Sequence, residues 1–207
     1  MVEENKSSEK RFQILEKTML GYYLPTNPFV ISLIAIFAAL TCVMTMTIEI
    51  PVPATGGYIN IGDFIVMFTG LMFGPIIGGL AGGIGSCLAD ILLGWPLYAL
   101  PTLIIKGLEG FVVGVIANPK KETIRINLRD VVAVIIGGLI MVSGYFIVEA
   151  FIMNYGVINA SIEVPGNLFQ FTFGAVASIL LIIPIRRNVV RGEPQIFEKV
   201  YVIESIK

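Results

Sequence analysis

Apolar residues gather in six long runs, separated by short breaks where proline, glycine and charge collect. The runs predict helices at roughly Phe29–Ile48, Ile61–Phe73, Pro75–Leu93, Ala99–Ala117, Val131–Met153 and Gly166–Ile185. A helix needs about 20 apolar residues to cross a hydrocarbon core of about 30 Å, so these runs read as membrane spans. The second is short for that task, and is expected to be tilted, bent or capped by the Pro- and Gly-rich loop EIPVPATGGYIN before it. The pattern divides the chain into a polar tail (1–27), a six-helix membrane domain (28–186) and a second tail (187–207). In the first tail Phe12, Leu15, Met19 and Leu20 are spaced for an interfacial helix or belong to a loosely ordered segment.

Composition agrees with this pattern. The 207 residues are 56% hydrophobic and 14% charged, where a soluble domain averages about 25% charged. Mean hydropathy is +0.86. The fold expected is an all-α integral membrane protein. Charge placement orients it. Basic residues fall in the first tail (Lys6, Lys10, Arg11, Lys17), between the fourth and fifth runs (Lys120, Lys121, Arg125, Arg129) and after the sixth (Arg186, Arg187, Arg191, Lys199, Lys207). With six spans, all of these share one side, and the opposite loops carry none. By the positive-inside rule both termini are cytoplasmic. No cleavable signal peptide is expected, because the first apolar run is too long and too far from the N-terminus. The chain has no histidine, which removes the commonest metal ligand and relay group. Cys42 and Cys87 sit in apolar runs and read as small hydrophobes. No metal or cofactor site is indicated, and no basic patch calls for nucleic acid.

The remaining charges mark a site. Lys106 and Glu109 interrupt the fourth run. A charge at the centre of a membrane helix costs about 2.5–3.5 kcal/mol on insertion scales, so both must face protein or a wet cavity. They are three residues apart and can pair on one helix face. Asp63, Asp90, Glu149, Asn167 and Gln170 fall toward the non-cytoplasmic ends of their runs, Asn154, Asn159 and Glu163 fall in the outer loop between the last two, and the cytoplasmic halves are nearly free of ionisable groups. This predicts a pocket open outward and closed below rather than an ion path. The residues expected at it are Glu149, Lys106, Asn167, Tyr58, Trp95, Tyr98, Asp90, Tyr145, Asn154 and Gln170. Polar groups beside aromatic faces suit a small, flat, hydrogen-bonding ligand. Each has a plainer reading: Tyr58 and Trp95 as interfacial aromatics, Asp63 as a helix N-cap, Asp90 as a structural partner of Lys106.

Glycine row Gly74, Gly78, Gly82 with Ser86 is spaced for close helix packing. Ala35 and Ala39 form a small-residue pair on the first helix, facing either its own bundle or a partner. The Gly-rich GGLAGGIGS lacks the lysine of a phosphate loop, and neither HExxH nor GxSxG occurs. No enzyme activity is expected.

The segments PVPATGGYINIGDFIV, GLMFGPIIGGLAGGIGSCLADIL and YALPTLIIKGLEGFVVGVI resemble the substrate-binding S component of an energy-coupling factor (ECF) vitamin transporter. The likeness runs over about 28–186. It is strongest to the hydroxymethylpyrimidine and pyridoxine carriers and more distant to the riboflavin carrier. The resemblance implies six helices and an outward-facing vitamin pocket built from loops 1, 3 and 5 with helices 4 to 6. It also implies a prokaryotic cytoplasmic membrane, docking on a transmembrane coupling subunit through helices 1 to 3, two ATPase subunits that drive the cycle, and a subunit that topples to release its cargo. The family's Ala-x-x-x-Ala contact motif matches Ala35 and Ala39. The alternatives are an autonomous ion-coupled solute carrier, which would need polar groups further inward from Glu109, and an intramembrane enzyme or assembly factor.

Overall fold

The computed structural model describes residues 18–120, 126–193 and 195–201. Six apolar helices dominate: α1 (Pro28–Thr47), α2 (Asp63–Phe73), α3 (Pro75–Leu93), α4 (Pro96–Ala117), α5 (Leu128–Ile147) and α6 (Gly156–Gly192). A short hairpin, β1 (Thr18–Met19) and β2 (Tyr22–Tyr23), precedes α1, and a second, β3 (Ile50–Val52) and β4 (Gly57–Ile59), joins α1 to α2. One turn of π-helix, Val148–Ile152, links α5 to α6, and α7 (Gln195–Glu198) follows α6. Among the described residues, five helical segments are long and apolar enough to cross a membrane. The chain is an integral membrane protein.

The sixth helix, α2, explains its own shortness. Ten of its eleven residues are buried, because it stands inside a ring of α1, α3, α4 and α6. Its backbone bonds are closed within the helix and its side chains meet protein rather than lipid, so it need not match the bilayer. By contrast α1 buries only the stripe Val30, Ile34, Ala38, Thr41, Cys42 and Thr45, and leaves Ile31, Ile36, Leu40 and Val43 exposed. That is a helix with one seam toward protein and the rest toward acyl chains.

Glycine sets the spacing. Gly74 turns the chain from α2 into α3 at φ +84°, a conformation that L side chains rarely adopt. The glycine row expected to serve packing lies inside the bundle. A Cβ on Gly78 would come within 2.6 Å of Gly70 Cα and 2.8 Å of the Gly110 carbonyl oxygen. One on Gly83 would come within 2.7 Å of the Leu103 carbonyl oxygen. Helices α2, α3 and α4 are therefore in backbone contact, with no room for a methyl group.

Two differences from the sequence expectation stand out. The segment taken as a loop before the sixth run is helical, because α6 starts at Gly156 and continues through Pro165 and Pro184 to Gly192. Within an apolar bundle a proline bends rather than ends a helix. Met19 and Leu20 belong to the first hairpin rather than to an interfacial helix; Phe12 and Leu15 lie outside the described residues. That hairpin and the segment after α6 close one end of the bundle. The Tyr23 amide donates to the Val200 carbonyl (2.9 Å), and the Tyr22 ring meets Tyr201 edge-on at 5.7 Å. Burial pushes both phenol pKa values up. Beneath them Arg186, 1% exposed, forks onto both Asp130 oxygens at 3.0 Å and donates to the Leu71 carbonyl at 2.5 Å.

Gly78→Ala is expected to destabilise the bundle by about 1–3 kcal/mol, the usual cost of overpacking. The check is a lowered melting temperature of the purified protein in detergent.

Candidate functional site

The opposite end of the bundle holds the polar residues. Three helices each present one polar face. On α4, Tyr98, Thr102 and Lys106 recur at four-residue spacing; on α6, Glu163, Asn167 and Gln170 do so at four and three; on α3, Ser86 and Asp90 do so at four. These faces, with Thr45 of α1, Tyr145 of α5, and Tyr58 and Asn60 of the second hairpin, line one cavity. Its volume is about 20 Å³, room for about one water. Below it the apolar core of Met67, Phe68, Leu71 and Val113 forms the floor.

Lys106 is the electrostatic centre. It is 2% exposed and ion-pairs with both Asp63 and Glu109, the latter at 3.2 Å, each 0% exposed. Its ammonium also lies 5.7 Å from the centre of the Tyr145 ring. The pairing of Lys106 with Glu109 matches the three-residue spacing. The expected N-cap role of Asp63 does not hold. Gly62 is the cap and makes no side-chain bond, whereas Asp63 begins the helix and turns its carboxylate to Lys106 and to the Gln170 amide (3.0 Å). Nor does Asp90 serve as the partner of Lys106, because its Oδ1 takes the Tyr58 hydroxyl at 2.6 Å. Burial first, and then the Asp90 charge, pushes the Tyr58 pKa up, so the phenol stays a donor.

The hairpin β3–β4 roofs the cavity. The Thr55 hydroxyl donates to Glu163, the Tyr98 hydroxyl donates to the Thr55 carbonyl (3.1 Å), and the Asn60 amide donates to Gln170 Oε1 (2.8 Å). Trp95 stacks on Tyr58 with ring centres 5.9 Å apart and donates its indole N–H to Glu49 at 2.6 Å.

Of the ten expected site residues, the cavity wall brings together Tyr58, Asp90, Tyr98, Lys106, Tyr145, Asn167 and Gln170. Glu149 lies behind the wall, presented by the π-helical turn, with Oε1 3.4 Å from the Tyr98 hydroxyl. Trp95 covers Tyr58 from above. Asn154 is exposed in the turn before α6, at φ +56°, and does not reach the cavity. Thr45, Asn60, Ser86, Thr102 and Glu163 were not among the ten. Helical spacing could have found three of them: Ser86 one turn before Asp90, Thr102 between Tyr98 and Lys106, and Glu163 one turn before Asn167. Ala35 and Ala39 sit on the exposed face of α1.

At this end several buried polar atoms have no hydrogen-bond partner among the described residues: Thr45 Oγ1, Ser86 Oγ, Asp90 Oδ2, Asp63 Oδ2, Glu109 Oε1 and Glu149 Oε2. Asn167 is 3% exposed, and its amide makes no hydrogen bond to the described residues. Native cores satisfy nearly all such groups; these six lie at or beside the cavity, and Arg186 Nε and Tyr201 Oη share the condition at the other end of the bundle.

Comparison with known proteins points the same way. The family model for the S component of ECF-type riboflavin transporters matches residues 28–187. A thiamine precursor transporter, HmpT, of Lactococcus lactis is 29% identical over 155 residues, covering 73% of this chain and 84% of that protein. A protein of Pyrococcus woesei, described as an uncharacterized protein in a gap 3' region, is 42% identical over 134 residues, covering 65% of this chain and 86% of that one.

Lys106→Met is expected to destabilise the protein by about 3–5 kcal/mol, because it strands two buried carboxylates. Adding Asp63→Asn and Glu109→Gln to the same chain should recover most of the loss, read as melting temperature in detergent.

Proposed function

Since the chain belongs to the S-component family of ECF-type riboflavin transporters, we propose that it captures a small vitamin-like heterocycle, best matched by hydroxymethylpyrimidine or a pyridoxine-like ring. The observation that carries this reading is a polar cavity over an apolar floor. It offers hydrogen-bonding groups and aromatic faces to a flat ring and, among the described residues, no polar route onward through the bundle. The likeness to a thiamine precursor transporter supports the pyrimidine end of that range.

In this reading the β3–β4 end faces outside and the two basic tails face the cytoplasm of a prokaryote, as the charge asymmetry favours. Ligand enters by displacing the roof, since the cavity has room for about one water only. Energy comes from elsewhere: a transmembrane coupling subunit and two ATPase subunits complete the importer. The exposed small pair Ala35 and Ala39 on α1 lets a partner helix approach closely, which supports that face as the docking surface.

The purified chain should bind its ligand without ATP. Asn167→Ala should weaken that binding about tenfold, the worth of one well-placed hydrogen bond, with an unchanged melting temperature. Isothermal titration against a panel of vitamins and their ring precursors checks both. A panel with no binder would sink the reading. For orientation, Cys42 and Cys87 are replaced and single cysteines placed at Lys120 and Ser161. An impermeant thiol reagent added to whole cells should label only the Ser161 position.

A further inference from the structure

Helices α3 and α4 cross at glycine, and outward from the crossing they leave a groove. A Cβ on Gly79 would stand 3.1 Å from the Gly107 carbonyl oxygen, so this pair is the floor and no side chain rises from it. Leu80 and Ile84 of α3 wall one side, and Ile104 and Leu108 of α4 wall the other, all of them exposed. Leu24 and Pro25, which follow β2, close the end beside Pro75. Every lining residue is apolar. The groove lies on the far side of α4 from the polar cavity, since Ile104 and Leu108 look out where Thr102, Lys106 and Glu109 are buried. Both helices are long and apolar enough to cross a membrane, so the groove opens onto hydrocarbon.

Its width selects the occupant. The groove follows α3 from Pro75 to Ile84, roughly 14 Å at about 1.5 Å per residue. Its volume is about 590 Å³. The mean cross-section is therefore roughly 40 Å², whereas a helix about 10–12 Å across needs roughly 80–110 Å². A partner helix is too thick to enter; an acyl chain, which has no side chains, is thin enough. One end of the groove also carries charge. Lys120, just past the end of α4 and half-buried, donates to the Leu20 carbonyl at 2.6 Å, and its ammonium lies 5.5 Å from the centre of the Tyr22 ring. Leu20, Tyr22 and Leu24 belong to one short segment, so the cation and the closed end of the groove share it. Among the described residues the ion pairs are those of Lys106 and Arg186, and no carboxylate neutralises Lys120. An ammonium has further donors beyond the one given to Leu20.

We infer that the α3–α4 groove is a lipid site, seating an acyl chain of a membrane phospholipid whose anionic headgroup meets Lys120. The chain fills the space over Gly79 and Gly107, and the headgroup lies in the leaflet at the β1–β2 end. A basic group beside an interhelical groove at the membrane surface is the arrangement that holds anionic headgroups. The site is separate from the polar cavity and stands whether or not the carrier-subunit reading does.

The test places the full chain in nanodiscs of equal parts phosphatidylcholine and phosphatidylglycerol with matched chains. Native mass spectrometry then counts the lipids that leave with the protein. The unaltered chain should retain phosphatidylglycerol about tenfold over phosphatidylcholine, the worth of one charge-assisted contact. Added phosphatidylglycerol should also raise its melting temperature in detergent, because a ligand of the folded state stabilises it. Lys120→Gln keeps a donor for the Leu20 carbonyl and loses the charge, so it should retain the two lipids equally. Leu80→Trp and Leu108→Trp narrow the groove from its two sides at exposed positions. Each should lower retention of both lipids at least about tenfold, with the melting temperature without lipid unchanged. Equal retention of the two lipids by the unaltered chain would overturn the proposal. Unaltered retention by both tryptophan variants would place the lipid elsewhere and overturn it as well. So would a dimer, in place of retained lipid, that the tryptophan variants dissociate, since the groove would then belong to a second copy of the chain.

Discussion

Everything at the polar end depends on how one buried ammonium is neutralised. Lys106 sits in an apolar bundle, where an unpaired charge costs several kcal/mol. Its partners come from two places: Glu109 from its own helix and Asp63 from the start of α2. The second pairing fixes the height and rotation of α2 against α4. From Asp63 the bonding continues through Gln170 to the Asn60 amide. One ion triad thus ties α2, α4 and α6 to the hairpin above them, and the groups that line the cavity are aligned as a by-product.

Such short-range electrostatics needs helices that come close, and that is the work of the glycines. Gly70, Gly78, Gly83, Gly107 and Gly110 bring α2, α3 and α4 into backbone contact. Side chains of ordinary size at these positions would push α4 outward and lengthen the distance from Lys106 to Asp63. The polar cavity at one end thereby depends on apolar packing through the middle. The fork of Arg186 onto Asp130 ties α5 and α6 at the far end, where the two terminal segments also meet.

The legible parts of the sequence were those governed by local spacing or by bulk hydropathy. Helix α3 occupies the residues that the apolar run assigned it, and Lys106 with Glu109 could be paired from a three-residue interval. What was not legible required knowledge of distant neighbours. Asp63 and Lys106 are 43 residues apart, and a carboxylate just before an apolar run reads equally well as a cap. Pro165 and Gly166 read as a helix break, which a bundle surrounded by lipid overrides. Pro51 and Pro53 obscured the strand pairing of the second hairpin, whose register of Ile50 with Ile59 places Pro51 opposite Tyr58. Thr45 gave no signal at all, because nothing local distinguishes it from Thr41, one turn earlier, which turns its hydroxyl back on its own helix.

The sequence contains one tryptophan, Trp95, and the fold stacks it on the tyrosine that roofs the cavity, with its indole N–H held by Glu49. Indole emission depends on the polarity of its surroundings and on the groups it bonds. Any displacement of the roof alters both at once, with no second fluorophore of that kind to dilute the signal. The molecule therefore carries its own optical gauge of whether the chamber is open or shut, at native composition and without an attached dye.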